Sequence, residues 1–222
     1  MKKHSGFISG ERWSLWRGSN GCYLSFIVAF ISLLIVSRVM GQTTDTVKKE
    51  IPHDRRGRPD YMYQMARQKA GQLGLYPLES GFDSLEIRIW LDYSLAIHRQ
   101  LIVLTRKDGQ WKGRFITMAV QWNLRGDSEL VKHFSNVAVV PKMGWAAFTK
   151  ELFALGITTL PNGPDGGEDG TGYNIEVATR NTYRFYSYWS PESTEDKDQG
   201  SKKMVNIIHL LEQAFQFKRK QI

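Results

Sequence analysis

Cysteine is almost missing from this sequence: 222 residues contain one, Cys22. It precedes the main apolar run, whereas a lipid-bearing cysteine would follow it, so lipid attachment is excluded. Beyond that run no thiol is left for a disulfide, a thiolate nucleophile or a zinc–thiolate site. A membrane-length apolar stretch is also missing. The longest, CYLSFIVAFISLLIV at residues 22 to 36, falls short of the roughly 20 residues a span requires but fits the apolar region of a secretory leader. Catalytic signatures are absent as well: there is no G-x-S-x-G elbow and no H-E-x-x-H helix. His53, His98, His133 and His209 show no metal-ligand spacing, and a structural role is expected for each.

A strong charge of one sign is lacking too. The formal +8 comes from 30 basic and 22 acidic residues, but five of the former and one of the latter lie in the first 41 positions. The remainder carries +4, a weak electrostatic footprint, so no nucleic-acid partner is expected.

What is present begins with a leader. Basic residues precede the apolar run, and Val39 and Gly41 suit cleavage before Gln42. Residues 1–41 are read as a signal peptide or, if uncut, an anchor that gives the only membrane attachment. The chain beyond it is then exported to the periplasm or the exterior. Residues 42–59, with two prolines and few large apolar side chains, read as a flexible tether. Residues 60–222 suffice for one domain built on its own core.

Within that domain Asp60 caps a helix that runs through Leu73 and stops at Gly74. SLEIRIWLDY alternates, with Leu85, Ile87, Ile89 and Leu91 on one side and Glu86, Arg88, Trp90 and Asp92 on the other. Such a strand is half-buried, and its charges read as a solvated face. Further strands are expected over 99–106, 111–122 and 135–140, with Gly109 taking the turn after the second. A helix over 143–155 ends at Gly156, with Ile157 placed for the accompanying apolar contact. A hairpin follows. Its register is expected to set Val177 opposite Phe185 and to bring Glu176 and Arg184 to one face. The last helix covers 199–217, with Met204, Ile207, Ile208, Leu211 and Phe215 as its apolar stripe. Runs of strands separated by helices point to an α+β fold: an antiparallel sheet of about six strands, a meander plus the C-terminal hairpin, with helices on one face.

Two candidate sites emerge. Trp90, Tyr186 and Tyr188 are assigned to a face away from the apolar sides. If no helix covers that face, they form a stacking platform for a protein, peptide or glycan partner; if one does, they are core. The loop PDGGEDG carries Asp165, Glu168 and Asp169, hard oxygen ligands that calcium could use, although their spacing is not that of an EF-hand and a flexible connection explains them as well. No other cofactor is expected.

DSLEIRIWLDY, the K-D-G turn, GWAAFTKELFALGITTLPNGPDG, YNIEVAT and TYRFYSYWSP together resemble a loose group of uncharacterised exported proteins of Gram-negative bacteria. The resemblance covers about residues 75 to 217 and implies export and an α+β domain, with no activity. The leading expectation is a non-enzymatic envelope domain that binds a partner or ligand. The alternative is a hydrolase with an acidic constellation, with or without calcium. Expression of the full chain in a Gram-negative host is expected to give an exported protein whose mass starts at Gln42. Recovery of the intact chain from the cytosol would exclude the leader reading.

Overall fold

In the computed structural model, which describes residues 46–93, 96–126, 128–164 and 169–219, seven strands form one mixed sheet. The leader, its cleavage point, Asp165 and Glu168 lie outside the described residues. In chain order the elements are β1 (Lys48–Glu50), α1 (Tyr61–Gln72), β2 (Leu85–Tyr93), β3 (His98–Lys107), β4 (Gln110–Trp122), β5 (Glu129–Val139), α2 (Trp145–Ala154), β6 (Thr171–Thr179), β7 (Thr182–Trp189) and α3 (Gln199–Phe215). The strands lie in the order β1-β7-β6-β2-β3-β4-β5. All neighbours are antiparallel except β1 and β7, which run parallel. The α+β class holds, while two finer expectations are corrected: the sheet has seven strands and is mixed.

The extra strand comes from the stretch read as a tether. Lys48, Lys49 and Glu50 pair with Thr182, Tyr183 and Arg184, and Glu50 meets the Arg184 guanidinium at 3.1 Å. A three-residue strand has no periodicity to detect; its partner supplies the order. Further on, Asp54 accepts from the Arg56 and Arg58 amides and from Arg58 Nε, which closes a turn bridged by His53 and Pro59.

Local sequence chemistry sets several boundaries. Asp60 accepts from the amides of Met62 and Tyr63, which satisfies donors that the first helical turn leaves open. Asp108 and Gly109 take φ of +51° and +76°, the left-handed pair that a two-residue hairpin with the right-handed strand twist requires. Gly156, at φ +85°, ends α2 as expected, and Ile157 is buried beside it. Gly81 is compulsory for another reason: a Cβ there would come within 2.4 Å of the Arg180 carbonyl oxygen.

Helices were expected on one face, but they cover both. On one side α2 and α3 press Phe148, Leu152, Met204, Ile207, Ile208 and Leu211 onto Ile87, Ile89, Leu91, Ile102, Leu104, Tyr173 and Ile175. On the other side α1 sets Tyr63, Ala66 and Ala70 against Trp90, Leu101, Val103, Ile116, Met118 and Phe185. Alternation along β2 separates its two faces but cannot say that the charged one is covered.

The β6–β7 register also differs from expectation. Glu176 pairs with Phe185, and Val177 with Arg184, across a loop of two residues, Arg180 and Asn181. The Thr179 and Thr182 hydroxyls close that loop at 2.6 Å. A slip of one residue exchanges faces. Tyr186 and Tyr188 therefore join the α2–α3 side, while Tyr183 and Phe185 lie under α1. At the far edge, β5 begins six residues earlier than expected, because a bulge near Ala119 and Val120 interrupts its pattern.

Leu211 has no solvent exposure and sits at the centre of the α3 stripe. Leu211→Ala is expected to lower the unfolding free energy by about 2–5 kcal/mol in urea denaturation. A change within about 0.5 kcal/mol, ordinary for surface positions, would place Leu211 outside the core.

Candidate functional site

The covered face of β2 carries Glu86, Arg88, Trp90 and Asp92, and the adjacent strands answer each charge in register. Asp92 stands opposite Arg99 of β3, Arg88 opposite Glu176 of β6, and Glu86 opposite Thr105 of β3. These charges, expected in solvent, are buried and form two groups.

The first group is a quartet at one end of the sheet. Lys69, from the third turn of α1, reaches Asp92 Oδ1 at 2.5 Å and Glu129 Oε2 at 3.5 Å. Arg99 contacts both carboxylates too, through Nε to Asp92 at 3.4 Å and through Nη2 to Glu129. Two cations and two anions thus hold one another with no net charge. Asn174 of β6 donates through Nδ2 to Asp92 Oδ2 at 2.8 Å, and Lys69 also lies 5.6 Å from the Trp90 ring centre. Desolvation makes such a cluster a poor source of net stability, but removing one member would leave an uncompensated buried charge.

The second group is centred on Glu176. Its carboxylate accepts from Trp90 Nε1 at 2.8 Å and from the Tyr183 hydroxyl at 3.0 Å, with Arg88 at 3.9 Å. Arg88 is held by Glu86 at 2.8 Å and by the Tyr76 carbonyl at 2.7 Å. Burial is the largest influence on Glu176 and raises its carboxyl pKa, against the opposing pull of Arg88, Trp90 and Tyr183. Burial and then the Glu176 charge likewise raise Tyr183, and burial followed by Glu79 pushes Tyr63 up to about 12.

Above the quartet lies a cavity of about 180 Å³, walled by Tyr61, Met62 and Met65 of α1 and by Tyr93, Trp122 and Trp189. A second lobe of about 330 Å³ shares Tyr61, Met62 and Trp189 and adds Asp60, Asn162, Asn174 and Ser187. Tyr61 and Trp122 are 52% and 47% exposed, so rings reach the mouth while the charges stay below. The end of the sheet places all of these. The C-terminal ends of β2, β4 and β7 and the N-terminal ends of β3, β5 and β6 meet there, beneath the first half of α1.

The expected stacking platform is corrected. Trp90, Tyr186 and Tyr188 are 0%, 1% and 1% exposed, and Trp90 lies on the opposite face from the two tyrosines. Trp90 donates to Glu176, and Tyr186 donates to the Ile157 carbonyl at 2.5 Å. Of the acidic loop residues, Asp169 is exposed, while Asp165 and Glu168 lie outside the described residues. Among the described residues no group of three histidine, cysteine or acidic side chains is placed to hold a metal. His53, His133 and His209 are exposed and lie in separate places, between β1 and α1, on β5 and on α3.

Sequence reasoning passed over Lys69, Arg99, Trp122, Glu129, Asn174 and Trp189. A signal was available for the first: Tyr61, Met65 and Lys69 fall at i, i+4 and i+8, which puts a cation on an otherwise apolar helical stripe. No family model matches this chain, and no curated protein is significantly similar to it.

The raised Glu176 pKa has a definite sign. A carboxyl that holds its proton more tightly when folded contributes its full stability below the unfolded pKa and loses it as pH rises through the folded one. Wild type is therefore expected to lose stability relative to Glu176→Gln as pH climbs above 4.5, the ordinary glutamate value. Guanidinium unfolding of both proteins in acid and in mildly alkaline buffer reads this difference. A gap that does not change with pH would refute the assignment.

Proposed function

We propose that this chain is an exported, non-enzymatic binding domain whose ligand enters the two-lobed cleft at the sheet end. The observation that carries the reading is the arrangement of Tyr61, Trp122 and Trp189 around an opening whose buried floor charges engage one another. Rings at a concave mouth supply contact area at low entropic cost, and a few fixed polar groups supply orientation. The quartet supports binding over catalysis: each carboxylate is shared by two cations, which favours a rigid scaffold over a base poised for proton transfer.

Export rests on the basic flank and apolar run of the leader and on the thiol-free chain beyond it. Among the described residues no helix is long and apolar enough to cross a membrane. The partner types expected from sequence, a protein, a peptide or a glycan, carry over to the new site, with Tyr61, Trp122 and Trp189 in place of the buried Trp90, Tyr186 and Tyr188.

Fragment mapping tests the reading without knowledge of the ligand. Amide and indole NMR signals recorded with phenol, isopropanol and N-methylacetamide are expected to shift together at Tyr61, Met65, Trp122, Asn174 and Trp189. Shifts scattered evenly over the surface would overturn the cleft as a binding site.

A further inference from the structure

We propose that the cleft takes a neutral saccharide. The proposal rests on the binding reading above and deepens it, and its main support is an orphaned atom. Asn174 has no solvent exposure and lines the second lobe, yet its Oδ1 has no hydrogen-bond partner. Its orientation is fixed. Asp92 accepts only, so the amide must turn Nδ2 toward it, and the 2.8 Å bond shows that it does. Oδ1 is then a fixed acceptor, without a partner, on a residue that lines the lobe. Buried polar atoms without partners are rare in folded proteins, and the residues lining this lobe carry three of them, Asn174 Oδ1, the Tyr188 hydroxyl and Trp189 Nε1, a mixed set of acceptor and donors that a hydroxyl-bearing ligand can match.

The other lining groups suit hydroxyls. Asp60 uses Oδ1 to cap α1. Its second oxygen is an acceptor of the kind that takes a sugar hydroxyl. Asn162 accepts through Oδ1 from the Ser187 amide at 2.9 Å and from its hydroxyl at 3.4 Å, and its Nδ2 adds donors beside those acceptors. Tyr61 and Trp189 line both lobes and bring to them the kind of aromatic side chain on which the apolar face of a pyranose stacks.

Charge and backbone geometry narrow the choice further. The quartet under the first lobe sums to zero and the second lobe carries the Asp60 carboxylate, so neither lobe draws an anionic ligand. Peptide addition to β7 is blocked where it would be needed: Gly163 N already donates to the Ser187 carbonyl at 2.8 Å, and Asn162 takes the Ser187 amide. Strand addition at Ser187 is therefore closed to an extended peptide, which favours a ligand read by side chains, such as a polyhydroxylated ring.

Calorimetric and NMR titrations with glucose, N-acetylglucosamine, cellobiose and chitobiose test the proposal. At least one of the four is expected to bind saturably, with shifts at Asn174 and the Trp189 indole. Tyr61→Ala and Asn162→Ala change exposed side chains and are expected to stay folded, with melting temperatures lowered by a few degrees at most. Each is expected to weaken binding by about tenfold, the scale of one net polar or stacking contact. Sugar binding that both variants leave unchanged would locate it elsewhere and overturn the proposal. If phenol and N-methylacetamide still cluster in the cleft while none of the four sugars binds, the saccharide assignment falls and the cleft stands. If neither fragments nor sugars bind there, both readings fall. Saturable shifts with the tripeptide Gly-Tyr-Gly and none with the sugars would assign the cleft to a peptide and overturn the saccharide.

Discussion

The charged face of β2 is the constraint on which the rest of the structure depends. Glu86, Arg88 and Asp92 are buried, Asp92 against Lys69 of α1 and Arg88 against the Tyr76 carbonyl just beyond it, and buried charges are tolerable only when partners stand at bonding distance. The register supplies those partners across β2–β3 and β2–β6. A slip of one residue would set Arg88 opposite Val177 or Ile175 and send Glu176 to the α2–α3 core. The ions thus act less as a source of stability than as a penalty on every other alignment, a use for which buried polar groups are well suited. The same alignment carries Asp92 and Asn174 to the sheet end, where the cleft opens.

How much of this was legible follows from how local each signal is. Asp60, Gly109, Gly156 and the α3 stripe announce their elements because capping, hairpin dihedrals and helical periodicity act over a few residues. The faces of β2 and β6 were legible for the same reason. What covers them was not, since coverage by α1 is a tertiary fact. Trp90 shows the cost: its neighbours along the strand are charged, so it read as a surface ring, whereas it donates to Glu176 in the interior. Tyr186 and Tyr188 were displaced by the hairpin slip, because Arg180 and Asn181 carry no glycine to declare the loop length.

The cleft was illegible for a different reason. The walls of its first lobe come from α1, β2, β4 and β7, and the floor of that lobe from four elements separated by up to 60 positions, between Lys69 and Glu129. None of these residues is unusual in its own segment except Lys69, a cation on an apolar stripe. The partners were present in the sequence as ordinary alternating charges; only the strand order β6-β2-β3-β4-β5 assembles them.

The C-terminal end of α1 has a consequence for the sheet margin. Gln72 donates through Nε2 to the Glu129 carbonyl at 2.9 Å and accepts from the Val131 amide at 2.6 Å. A single side-chain amide thereby imitates one residue of a missing neighbour strand, and it does so where β5 would otherwise leave backbone groups bare. Past Lys132 no side chain among the described residues plays that part, and Phe134 and Val137 are exposed. Any strand arriving at this margin can therefore add only beyond that point unless it displaces Gln72. Because α1 runs 12 residues, about 18 Å, from Tyr61 to Gln72, the same helix that guards this margin at one end walls the cleft at the other.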